Sequence, residues 1–140
     1  MTMANKQPVR VLIVEDQQVV ADALRELIDD QPDMLVVGAA GSVAESLSCA
    51  AELRPDIVLL DYRLPDGNGA DAASTIRRLQ PTARLIFVTR DDREKTRLAA
   101  FEVGAKAFVP KSKAATELVG TIRAVAAGGS LMQPPTQSTG

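Results

Sequence analysis

The 140-residue chain has no histidine, no tryptophan and a single cysteine. Without an imidazole, zinc sites of the histidine type and Ser-His-Asp relays are excluded. Cys49 has no partner for an internal disulfide; it falls in a helical pattern and reads as a small buried residue. Aromatics make up only 3% of the chain, so a core has to be assembled from Val, Leu, Ile and Ala. Neither sign of charge dominates: 16 Lys and Arg against 18 Asp and Glu leave a net charge of -2, which gives no electrostatic ground for tracking a nucleic-acid backbone. Long hydrophobic runs are missing too; the apolar runs are about five or six residues, too short to span a bilayer. The polar stretch Met1 to Arg10 lacks the apolar core of a signal peptide, which makes the cytoplasm the expected location and a membrane an unexpected partner.

What is present is a soluble-protein balance of 46% hydrophobic and 24% charged residues, in a length that suits one domain. Short apolar runs alternate with helical patterns five times. Val9 to Val14 reads as a strand, followed by a helical stripe of Val20, Ala23, Leu24, Leu27 and Ile28. Met34 to Ala39 is a second strand, and Ser42 with Glu45 forms a capping-box pattern opening a helix to about Leu53. Ile57 to Leu60 is a third strand ending at Asp61. Leu64 to Gly69 is dense in turn formers and reads as a loop, with a helix over Ala70 to Leu79. Leu85 to Val88 is a fourth strand ending at Thr89. Asp91 and Glu94 are placed to cap the next helix, which Gly104 ends. Lys106 to Pro110 is a short fifth strand, and Leu118, Val119, Ile122, Val125 and Ala126 mark a last helix that stops at Gly128-Gly129. Residues 1–8 and 129–140 flank the domain as tail and linker, Gln133 to Gly140 having the composition of a disordered segment.

Strand–helix alternation with strands apolar throughout predicts an α/β fold: a doubly wound parallel sheet buried on both faces. Ligands of such sheets bind beyond the carboxyl ends of the strands. The residues expected there are Glu15 and Asp16 after the first strand, Asp61 after the third, Thr89 at the fourth and Lys111 after the fifth. Clustered carboxylates raise one another's pKa unless a cation sits among them. Hard oxygen donors that leave room for water suit Mg²⁺, which in turn neutralises incoming phosphoryl oxygens. Lys111 adds a second positive charge, Thr89 a hydroxyl donor, and the central carboxylate, Asp61, is free to act as a nucleophile.

These residues resemble the receiver domains of two-component response regulators, over about residues 9 to 128. The resemblance rests on the pair Glu15-Asp16, the segment LLDYRLPDGNG around Asp61, the segment FVT ending at Thr89 and the segment GAKAFVPK ending at Lys111. It implies a flavodoxin-like three-layer fold whose five strands run in the order 2-1-3-4-5. It also implies Mg²⁺ held by Asp16, Asp61 and the backbone carbonyl of Arg63, with Glu15 acting through water. Asp61 is then the phosphorylation site, fed by a sensor histidine kinase, with Lys111 on the acyl phosphate. Thr89 and Phe108 match the pair that couples phosphorylation to shape, and dimerisation on phosphorylation is a family possibility.

Some positions depart from the family pattern. Ser112 follows the lysine where many receivers have proline, so a cis peptide is not expected there. Pro110 would suit an edge strand. Arg90 stands where small residues are common, and is expected to narrow the entrance to the pocket or to pair with Asp91; Arg63 borders the same pocket.

Two rival functions remain. Phosphatases of the haloacid dehalogenase class also use a strand-end Asp with Mg²⁺ and Lys, but need a second Asp two residues on, where this chain has Arg63. A degenerate receiver serving only as a binding module is opposed by the intact Asp16, Asp61, Thr89 and Lys111. The stretch AVAAGGSLMQ resembles the receiver-to-linker passage of NarL/LuxR-type regulators, in which a helix-turn-helix domain follows and controls transcription. The chain is read as the receiver portion of such a regulator, reaching DNA only through an output domain absent here; a stand-alone receiver working through protein contacts is the alternative.

Overall fold

A computed structural model describes residues 7–132. Five strands form a parallel sheet: β1 Val9–Val14, β2 Met34–Ala40, β3 Ile57–Leu60, β4 Arg84–Thr89 and β5 Ala107–Pro110. Their order is β2-β1-β3-β4-β5, as the family resemblance implies. Five helices join them: α1 Gln18–Asp29, α2 Val43–Leu53, α3 Gly69–Leu79, α4 Glu94–Glu102 and α5 Ala114–Ala126.

The period-2 geometry of the strands divides the core in two. Val11, Ile13, Ile57, Leu59, Ile86, Val88 and Val109 point to the face covered by α1 and α5, where Leu24, Ile28, Leu118 and Ile122 meet them. Leu12, Val14, Val58, Leu60, Leu85 and Phe87 point to the other face, against Ala50 of α2, Ala73 and Ile76 of α3 and Ala100 of α4. Burying each Leu or Ile in this way contributes about 1.5–3 kcal/mol, enough to explain why both faces are apolar. Cys49 is half-buried beside the second core rather than fully inside it.

Several local features differ from the sequence reading. The segment Leu64 to Gly69 is not a plain loop: Arg63–Leu64 and Gly67–Asn68 pair as a miniature antiparallel hairpin. Asp91 does not cap α4; the residue at the helix start is Arg93, whose side chain makes no capping bond. The expected box at α2 is present in altered form, since Ser42 Oγ accepts the Glu45 N–H while Glu45 reaches back to the N–H of Gly41. Met34 to Ala39 extends one residue further, and the chain after β5 passes through a short 3₁₀ turn, Lys111–Lys113. Every peptide bond among the described residues is trans, Lys111–Ser112 included. Gln133 to Gly140, expected to be a tail, lies outside the described residues, as do residues 1–6.

Candidate phosphoacceptor and metal site

The site forms where the winding of the sheet reverses. β1 pairs with both β2 and β3, so the crevice lies between the carboxyl ends of β1 and β3, with the end of β4 on the far side of β3. Four of the five strands deliver the expected side chains. Glu15 and Asp16 follow β1, Asp61 follows β3, Thr89 ends β4 and Lys111 follows β5. The Asp61 N–H donates to the Val14 carbonyl at 3.0 Å, and the Glu15 N–H to the Ala40 carbonyl at 2.9 Å, so sheet hydrogen bonding carries on into the site and fixes both backbones.

Lys111 Nζ lies 2.7 Å from Asp61 Oδ2 and 2.7 Å from Glu15 Oε1. Glu15 and Asp61 are buried, at 5% and 7% exposure. Burial pushes the Glu15 carboxyl above its ordinary pKa, and the charge of Asp61 adds to this; the bonds from Lys111 and from the Gln17 N–H pull the other way and lose. Burial tends to lower the pKa of the Lys111 ammonium, but its bonds to Asp61 and Glu15 outweigh that and hold it above its usual value. The lysine stays charged. Glu15 thus binds Lys111 directly, a contact the sequence reading did not include.

The oxygens of Glu15, Asp16 and Asp61 lie within 4.8 Å of one another, and Asp16 is exposed to solvent. A set of hard oxygens open to water fits a divalent cation that keeps part of its hydration shell. Three carboxylates against one ammonium leave an excess of two negative charges, the complement of such an ion.

Beside this set is a cleft of about 360 Å³, lined by Asp16, Asp61, Arg63, Thr89, Arg90, Asp91 and Lys111. A larger groove of about 710 Å³ adjoins it along α1, lined mostly by apolar residues and sharing Arg90 and Lys111. Thr89 is 1% exposed, and its Oγ1 accepts the Asp91 N–H at 3.2 Å. The Asp91 carboxylate pairs with Arg63 at 3.1 Å and Arg93 at 2.7 Å, not with Arg90. Hydrogen bonding by Arg93 holds it far below the usual carboxylate range, against the opposing effect of burial. Arg90 is exposed and forms part of the wall. Phe108 is half-buried against the second core, and the Arg97 guanidinium stacks over its ring at 4.5 Å from the centroid.

Sequence reasoning missed two supports. Asp66 in the hairpin accepts the N–H groups of Val43 and Ala44, capping α2 from a distance of more than twenty residues. Gly69, the first residue of α3, is packed so tightly that a Cβ there would sit 2.1 Å from the Asp61 carbonyl oxygen. The LPDGNG segment carried the signal for both, but only as turn composition.

A doubly wound α/β domain with an acidic pocket and a lysine at the switch point defines the structural class. The model of the response regulator receiver domain family matches residues 11–123, and the chain belongs to that family. Among curated proteins it is 37% identical over 124 residues to the DNA-binding transcriptional activator DevR/DosR of Mycobacterium tuberculosis, covering 89% of this chain and 57% of that one. It is 35% identical to the response regulator GacA of Pseudomonas viridiflava, covering 90% and 59%. Among solved structures, a two-component response regulator of the LuxR family from Aurantimonas superposes with a TM-score of 0.84 at 35% identity, covering 89% of each chain. The receiver domain of a NarL regulator from Mycobacterium tuberculosis gives 0.82 at 28%, covering 87% of this chain and 98% of that one. The chain spans somewhat under two thirds of the length of the curated relatives it matches. No helix among the described residues is long and apolar enough to cross a membrane.

Proposed function

We propose that Asp61 accepts a phosphoryl group from the phosphohistidine of a sensor kinase, with Mg²⁺ as the cofactor. The observation that carries this reading is the direct 2.7 Å contact of Lys111 with a buried Asp61 at the open end of an acidic cluster. A carboxylate oxygen of Asp61 forms a bond to phosphorus, the phosphorus–nitrogen bond breaks, and the imidazole leaves with the bonding electrons. Lys111 orients the acceptor beforehand and then neutralises a phosphoryl oxygen. Thr89 supplies a hydroxyl whose hydrogen remains free to donate while its oxygen accepts the Asp91 N–H. Mg²⁺ supplies charge neutralisation when bound; Asp16, Asp61, the Arg63 backbone carbonyl and, through water, Glu15 would hold it.

The added charge, roughly −1.5 to −2, favours any conformer that brings Thr89 and Lys111 closer, and Phe108 on β5 is placed to register the change. Residues 9–128 act as the receiver, and 129–140 as the linker to a DNA-binding output domain that controls transcription in the cytoplasm. The protein is a signalling switch that turns over only its own phosphoryl group. Arg90 narrows the entrance, so Arg90→Ala changes the rate of labelling by acetyl phosphate. The main test is transfer from a phosphorylated kinase domain: label moves to the wild type in Mg²⁺ and not in EDTA. Equal transfer in EDTA would remove the metal from the mechanism.

A further inference from the structure

We propose that Asp91 is a positioning residue for phosphoryl transfer, which parks the Arg63 guanidinium across the mouth of the cleft until a phosphoryl group draws it in. The inference rests on the reading of Asp61 as the phosphoacceptor.

Arg63 follows Asp61 by two residues, and its backbone N–H already faces Asp61 Oδ1 at 3.4 Å. Its side chain turns away instead, to Asp91 Oδ2 at 3.1 Å. Asp91 is held independently: Arg93 donates to Oδ2 at 2.7 Å from Nη2, and to Oδ1 at 2.8 Å from Nε and 3.3 Å from its backbone N–H. Its side chain is 7% exposed, whereas that of Arg63 is 68% exposed. The N–H of the same Asp91 donates to Thr89 Oγ1, which leaves the hydroxyl hydrogen free to donate. Asp91 thus holds back a cation that borders the acceptor.

The asymmetry makes Arg63 releasable. An ion pair with one partner so exposed is weak, and Asp91 keeps Arg93 when Arg63 leaves, so no carboxylate is stranded. A phosphoryl group offers more charge and three acceptor oxygens, and guanidinium binds such a group well. Thr96, 1% exposed, also helps to hold the Asp91 carboxylate in its charged form.

The test is labelling by acetyl phosphate in Mg²⁺, a reaction in which Asp61 forms a bond to phosphorus and acetate leaves with the electrons of the broken phosphorus–oxygen bond. With Asp91 removed, Arg63 is free to meet the dianionic donor, so Asp91→Ala should lower the half-saturating acetyl phosphate concentration by about fivefold, leaving the maximal rate much less changed. The isosteric Asp91→Asn should act in the same direction. Adding Arg63→Ala in either background should raise the value again. An unshifted value in the single variants, or a shift that survives loss of Arg63, overturns the proposal. A wild type that takes no label at all would instead sink the phosphoacceptor reading. In the wild type, beryllofluoride with Mg²⁺ should shift the Arg63 side-chain NMR signals; unchanged signals would overturn the proposal without any variant.

Discussion

At the scale of single residues, the site is a problem in charge balance solved by Lys111. Glu15 is buried with a pKa above its ordinary value, so its charged form costs more in the folded chain than in the unfolded one. The sign follows: the stabilising contribution is complete in acid, below the ordinary carboxylate value, and is lost as pH rises through the elevated one. Glutamine resembles the neutral acid. Glu15→Gln should therefore raise the melting temperature of the metal-free protein by a few degrees at neutral pH, with the gain fading in mild acid. Thermal unfolding at two pH values checks this; a loss of stability at neutral pH would mean that the Lys111 bond outweighs burial. Asp91 behaves oppositely. Its pKa is depressed, so its pairs with Arg63 and Arg93 persist at neutral pH and are lost only as the solution becomes strongly acidic.

At the scale of elements, the segment between β3 and α3 does more than its turn-rich composition conveyed. Asn68 Oδ1 accepts the Asp71 N–H at 2.9 Å and caps α3. Asn68→Ala should cost about 1 kcal/mol in urea unfolding without abolishing the fold. Gly69→Ala should be more severe, about 2–4 kcal/mol, because the new methyl meets the carbonyl of Asp61 itself and one of the two backbones must move. Denaturant midpoints of the two variants distinguish a lost cap from a displaced acceptor. The strands were legible because their apolar runs are continuous, as burial on both faces requires. The hairpin was not, since two-residue arms have no periodicity to read. Asp91 looked like a cap because Asp three residues before Glu is a helix-start pattern. In the structure, two arginines outcompete the free N–H groups of α4 for its carboxylate.

Across the whole molecule, the strand order places Glu15, Asp16, Asp61, Thr89 and Lys111 at one edge, although they span nearly a hundred residues of sequence. Their convergence could be read from the sequence because parallel strands all end on the same side. What could not be read was which cation pairs with which carboxylate, since that depends on side-chain reach across strands. Arg97 over Phe108 is such a contact, invisible to any local pattern.

The most direct measurement is site mapping of the adduct formed with acetyl phosphate and Mg²⁺, by intact-mass and peptide mass spectrometry. The expected result is one phosphoryl group per chain, on the peptide containing Asp61, and none in Asp61→Asn. An adduct that persists in Asp61→Asn, or that maps to another residue in the wild type, would contradict the assignment of Asp61.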